Sequence, residues 1–201
     1  MTPPFETSEG RRHGEAPDLS PAAAQAGRLG YWQLFLEDLR SYPREGLLAQ
    51  GFWAMRIHRF SAATRDVRFP PLRLFAKLLH RLASKVGEIV LGIYIGANAK
   101  IGRRCVIEHF GAIIIHSDAE IGDDVTIRQG VTIGVKSAAA PRDVPVIGDR
   151  VDIGAGAKLI GKIRIGDDVV IGANAVVITD VPARSIAVGV PATIRPRRDT
   201  M

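Results

Sequence analysis

The sequence predicts a parallel β-helix behind a short helical cap, on three observations. The first is a six-residue spacing of aliphatic side chains. Ile147, Ile153, Leu159, Ile165, Ile171 and Val177 sit six apart without a slip. Ile95, Ile101, Ile107 and Ile113 keep the same step, and after a two-residue shift Ile115, Ile121, Ile127 and Ile133 resume it. A helix repeats near 3.6 residues and a plain strand near 2. A short unit repeated many times builds a solenoid, and a hexapeptide unit builds a parallel β-helix. The second observation is the content of the unit, and the third is a change of pattern upstream of it.

Most units read aliphatic, Gly, two polar or small residues, then a small or β-branched residue, as in Ile121-Gly122-Asp123-Asp124-Val125 and Ile165-Gly166-Asp167-Asp168-Val169. The aliphatic residue points inward and stacks on its counterpart one strand spacing away, ~4.8 Å. Gly, Asn and Asp take the corner because they tolerate positive φ. An aromatic in the inward slot would overpack a narrow prism. Tyr94 and Phe110 are accordingly the few aromatics in this region.

Upstream the pattern is helical. Residues 1–27 are rich in Pro, Gly, Ala and Glu without periodicity and read as a disordered tail. Residues 28–88 read as a helical cap. A first helix runs near Leu29 to Arg40 and stops before Pro43, and a second runs near Glu45 to Ala63. A third begins after Pro70-Pro71 and carries Leu72, Phe75, Leu78, Leu79, Leu82 and Val86 on one face. The solenoid is expected over 89–194, and 195–201 reads as a basic tail. An open solenoid end exposes unpaired strand edges, so the helices are expected to cover it.

Bulk properties narrow the function class. The chain has 201 residues, a net charge of +6 and one cysteine. A lone Cys105, in a small-residue slot, forms no intrachain disulfide, reads as a packing residue and suits a reducing compartment. No signal-type apolar run and no stretch long enough to span a bilayer is evident, which makes the cytoplasm the expected location. Between Arg28 and Val86 lie eleven basic residues against four acidic ones. Arg73, Lys77, Arg81 and Lys85 form a stripe at four-residue steps, read first as a solvated helix face. The sharper alternative is a surface that meets an anionic membrane or a lipid-linked, phosphorylated substrate. Basic loops interleaved with aromatics are absent, so nucleic acid is not an expected partner.

Function is sought where the repeat fails. In Ile107-Glu108-His109-Phe110-Gly111 a glutamate replaces the corner Gly and a histidine follows. His109 lies two positions after an inward aliphatic, the slot held elsewhere by Asp123, Gln129, Asp149 and Asp167. It therefore points away from the core, into solvent or a subunit seam. Imidazole titrates near neutrality and suits general-base chemistry. His116 takes a Gly slot and reads as a tolerated corner residue, with a second polar group of the site as the alternative. Residues 135–144 do not fit a six-residue coil and must loop out, forming a natural wall for a site. A zinc site of carbonic-anhydrase type needs three histidines, so no metal is expected.

These residues resemble the left-handed β-helix acyltransferases and, within them, the serine acetyltransferase family. The resemblance rests on Ile107-Glu108-His109, IRQGVTIG (Ile127 to Gly134), IGAGAKLIGKIRIG (Ile153 to Gly166), IGANAVVITDVP (Ile171 to Pro182) and AVGVPA (Ala187 to Ala192). EDLRSYP (Glu37 to Pro43) and GFWAMRIHR (Gly51 to Arg59) are similar to the end of that family's helical domain. Left-handedness is implied by the resemblance alone, since parallel crossovers are ordinarily right-handed. It also implies homotrimers, with a dimer of trimers formed through the helices, and active sites at the seams between β-helices.

The implied chemistry is transfer of acetyl from acetyl-CoA to a hydroxyl, with L-serine the family's acceptor in cysteine biosynthesis. His109 matches the catalytic histidine, and Glu108 stands for the aspartate before it. Val135, Ala155 and Ala173 match positions that contact acetyl-CoA. Lys136 and the basic tail (Arg195, Arg197 and Arg198) meet the nucleotide phosphates, or the tail is simply solvated. The chain departs from the family at Tyr94, where an aspartate pairs with the histidine, at Val144, where a second histidine ends the loop, and at Trp53 in the helix motif. IGRR (Ile101 to Arg104) is shared with acetyltransferases of exopolysaccharide pathways such as colanic acid. O-acetylation of a sugar hydroxyl therefore stands as the alternative, followed by a non-catalytic trimeric scaffold.

Overall fold

The computed structural model describes residues 30–65, 68–109 and 111–197. The expected disordered tail, Phe110 and Arg198 lie outside the described residues. Helix α1 spans Tyr31–Arg40, a 3₁₀ turn covers Gly46–Leu48, α2 spans Gln50–Arg65 and α3 spans Pro70–Leu91. Pro70 and Pro71 begin α3, where the missing N–H groups cost nothing. The helix runs past 88, through Ile89 and Val90, which the hexapeptide pattern assigns to the solenoid. It ends at Gly92, whose φ of 63° is the left-handed cap that glycine adopts without strain. Apolar residues in sequence do not distinguish a last helical turn from a first strand; the cap does.

From Ile93 the chain winds into a three-sided prism. The first sheet stacks β1 (Ile93–Ile95), β4 (Ile113–Ile115), β7 (Thr132–Gly134), β10 (Lys158–Ile160) and β13 (Val176–Val177). The second stacks β2 (Lys100–Ile101), β5 (Glu120–Ile121), β8 (Val146–Ile147) and β11 (Arg164–Ile165). The third stacks β3 (Val106–Glu108), β6 (Thr126–Arg128), β9 (Asp152–Ile153), β12 (Val170–Ile171), β14 (Ser185–Val188) and β15 (Thr193–Pro196). All of these pairs are parallel except β14 with β15.

The six-residue aliphatics become three interior columns. Ile95, Ile115, Ile133, Leu159 and Val177 pair in register along the first sheet. Ile101, Ile121, Ile147 and Ile165 do so along the second. Ile107, Ile127, Ile153, Ile171 and Ala187 do so along the third. The vertical repeat is thus one full coil, three hexapeptides. The two-residue shift falls wholly in the corner between β3 and β4, because Ile115 rather than Ile113 stacks on Ile95. Residues 135–144 loop out between β7 and β8, as the spacing required.

The helices close the open end by supplying hydrogen bonds to it. The Tyr42 hydroxyl accepts from Ile107 N–H at 2.8 Å and lies 3.4 Å from Ile107 O, standing in for a missing strand beside β3. Arg59 donates to Gly102 O at 2.9 Å and Ser61 to Ala97 O at 3.0 Å. Met55, fully buried, plugs the core from above. At the far end β15 folds back on β14, so Arg195 and Pro196 belong to a strand and not to the expected tail. That antiparallel return lays Ile194 against the core.

Gly51 fixes how close α2 comes. A Cβ there would fall well inside van der Waals contact of the Ile107 carbonyl, 2.7 Å from Tyr42 Oη and 2.8 Å from Ile107 Cβ. In an unobstructed helix Gly→Ala stabilises by about 1 kcal/mol. Here Gly51→Ala is expected to destabilise by about 1–3 kcal/mol, because α2 must lift from β3. Urea unfolding of the variant checks the sign.

Candidate active site

The corner between the third and first sheets carries the candidate site. β3 ends at Glu108, and the chain turns at His109 with φ 67°. Gly111 at 91° and Ala112 at 56° follow in the left-handed region. Positive φ alone does not single this corner out. Arg104, Asp124, Arg150 and Asp168 adopt it at the next edge of the prism. What is particular here is the two-residue expansion, which pushes the turn out of the stack while Gly111 O still accepts from Gly130 N at 3.1 Å. His109 is exposed on that expanded turn.

The register gathers several predicted residues on this one edge. His109, Gln129, Ala155 and Ala173 each lie two positions after an aliphatic of the third column, in successive coils. At one strand spacing per coil, Ala155 is roughly 10 Å and Ala173 roughly 14 Å along the edge from His109. Asp123, Asp149 and Asp167, which the hexapeptide pattern grouped with His109, sit on a different edge. There each carboxylate accepts the backbone N–H of the coil before it, as in Asp123 N–H to Asp149 at 2.8 Å. The six-residue slot merges edges that only the full-coil repeat separates.

Glu108 points outward beside His109 and is held from below. Arg128, its register partner, forms an ion pair with it at 3.1 Å and also binds Asp152 in the following coil. The Asp152 carboxylate, then Glu108, raises the Arg128 pKa. The guanidinium therefore stays charged between two carboxylates. Arg128 and Asp152 are not among the residues the sequence predicts for the site. Adding one coil to Glu108, with the two-residue expansion counted, would find Arg128. Gln129, the next residue, has its Oε1 buried with no hydrogen-bond partner among the described residues.

The remaining candidates lie elsewhere. Val135 is half-buried and Lys136 exposed at the opposite edge of the first sheet, where Lys136 Cβ lies 3.5 Å from the site a Gly161 Cβ would occupy. Arg195 is exposed on β15 at the far end of the third sheet. His116 is across β4 from the His109 corner. Its Nδ1 accepts Asp118 N–H at 3.2 Å, so the ring closes its own turn. Tyr94 and Ile114 stand outward and exposed on the first sheet, between the two edges. Val144 is buried at the root of the loop. Cys105 is fully buried and its thiol is pushed up to about 12 by desolvation, which leaves it a packing residue.

Comparison with known proteins agrees with this fold. The bacterial transferase hexapeptide family (six repeats) matches residues 145–179. The chain is 43% identical to the serine acetyltransferase of Helicobacter pylori over 143 residues, covering 71% of this chain and 80% of that protein. It is 47% identical to the serine acetyltransferase of Mycobacterium tuberculosis over 119 residues, covering 59% of this chain but only 52% of that longer protein. The crystal structure of Neisseria gonorrhoeae serine acetyltransferase in complex with serine superposes with a TM-score of 0.69 at 30% identity, covering 86% of this chain and 73% of that one. With the stacked hexapeptides and their helical cap, this similarity shows that the chain belongs to the serine acetyltransferase family of acyltransferases.

Proposed function

We propose that this protein transfers the acetyl group of acetyl-CoA to the hydroxyl of L-serine, with His109 as general base. The observation that carries the acceptor is the row Glu108, Arg128 and Asp152 beside His109. It presents both signs of charge, as recognition of a zwitterionic amino acid requires and a neutral sugar does not. The complex with serine formed by the Neisseria relative supports the same acceptor. In the reaction His109 takes the hydroxyl proton as the oxygen attacks the thioester carbonyl. A C–O bond forms, the C–S bond breaks, and the departing CoA sulfur receives the proton from the imidazolium.

The residues present fit the co-substrate. Small side chains at Ala155 and Ala173 leave the corner backbone open to a pantetheine arm, and the buried Gln129 Oε1 offers an acceptor for one of its amide N–H groups. Lys136 and Arg195 supply charge for the nucleotide phosphates. Because Val135 and Lys136 lie across the first sheet from Ala155 and Ala173, one arm touching both sets needs two prisms side by side. That geometry supports a homotrimer with sites at its seams. The division into a helical cap, an acyltransferase solenoid and terminal tails, and a cytoplasmic location, complete the reading.

An acceptor screen tests the proposal. With acetyl-CoA and a thiol-reactive dye, CoA release is expected with L-serine and not with sugars. Buried Cys105 leaves CoA as the reacting thiol. Release with sugars and none with serine would overturn the acceptor. No release with any hydroxyl, together with no binding of acetyl-CoA, would leave only a scaffold.

A further inference from the structure

Helix α3 is amphipathic the wrong way round for a helix packed on a core. Its inner face is small or polar. Gly87 is buried against α2, where a Cβ would come within 2.9 Å of Ile57 Cδ1, and His80 lies 6.3 Å from the Phe60 ring. Its apolar face points outward. Phe75, Leu78, Leu79, Leu82, Val86 and Ile89 are 63%, 64%, 46%, 62%, 51% and 80% exposed. Surface helices ordinarily turn that stripe inward. An apolar face turned outward along successive turns of a helix marks an interaction site. On the next flank of the helix, Arg73, Lys77, Arg81 and Lys85 repeat every turn and are exposed.

We infer that α3 docks on an anionic lipid bilayer, with its apolar face among the acyl chains and its basic row among the headgroup phosphates. Charge decides the occupant. Two copies pairing face to face through α3 would bring two cationic rows together, and the cap has few carboxylates to offer them. Among the described residues of the cap, Glu37 is bound to Arg103, Asp38 to Arg56 and Arg59, and Glu88 to Lys85, leaving Glu45. A phosphatidylglycerol-type surface supplies a sheet of negative charge along the whole row. Among the described residues no helix is long and apolar enough to cross a membrane, so α3 lies in the interface plane. Lys and Arg stems cover apolar surface while their heads reach the phosphates, which suits a row flanking the buried face.

Sedimentation of the full chain with vesicles tests this independently of catalysis. Binding is expected to vesicles of phosphatidylcholine mixed with phosphatidylglycerol, to weaken with added salt, and to be slight with phosphatidylcholine alone. Lys77→Glu with Arg81→Glu is expected to lower the affinity roughly tenfold or more. Leu78→Ser with Leu82→Ser is expected to abolish binding while the mass by light scattering and the melting temperature stay as in the parent. Equal binding to both vesicles, or no binding to either, would overturn the inference. So would a fall in oligomer mass of the Leu78→Ser, Leu82→Ser variant without lipid, which would assign the face to a second copy.

Discussion

His109→Ala is expected to lower kcat/KM for acetyl transfer by about 10²–10⁴, the usual contribution of a positioned base. The effect should fall on kcat, because the imidazole acts as the proton moves rather than in holding the acceptor. The fold should persist, since His109 is exposed and outside the core columns. One complication follows from its backbone. At φ 67° alanine sits less comfortably than histidine, which with Asn and Asp is enriched in the left-handed region. His109→Asn is therefore the cleaner variant, because Asn tolerates that region and offers no base. Steady-state kinetics with a parallel melting curve checks both. Either variant retaining near-parental turnover would remove His109 from the mechanism.

Asp38→Ala is expected to destabilise the protein by about 3–5 kcal/mol, through charge left buried without a partner. Asp38 is fully buried at the junction of cap and solenoid. It accepts from Arg56, and from Arg59 through Nε at 2.7 Å and Nη2 at 3.1 Å. Arg56 is further packed over the Phe35 and Phe52 rings, 5.6 and 5.8 Å from their centroids. Neither guanidinium can reach water without opening the cap. Arg59 also holds Gly102 O, so it must remain beside the edge of the first coil even when Asp38 is gone. Replacing the arginines by apolar residues would relieve the charge but orphan that carbonyl, and full recovery is not expected. Urea unfolding at constant pH reads the loss. A change below about 1 kcal/mol would show that the cluster is solvated and that the cap is held by its apolar contacts alone.

Much of the architecture is legible in the amino-acid order. A six-residue aliphatic step admits no other regular fold, because neither a helix nor a flat sheet returns side chains to one interior at that interval. The broken unit at Glu108-His109 and the loop at 135–144 are visible as failures of the same step. The small residues Ala155 and Ala173 are reached through resemblance, and the structure puts them on the same edge as His109. Other features are hidden. The hexapeptide slot does not reveal which of three edges a residue occupies, so Asp123 and Asp149 look equivalent to His109. Arg128 and Asp152 emerge only with the strand register. The apolar stripe of α3 is plain in sequence, but its outward direction is not.

The order of residues along the chain was enough to determine the prism, its inward columns and the two places where it breaks. Those are properties of local period, and each coil repeats them independently of its neighbours. Tertiary structure alone decided which corners share an edge with His109, what holds Glu108, and which way the third helix turns its apolar side. These depend on vertical stacking and on the pose of the cap, which set contacts between residues far apart in the chain that no local period encodes.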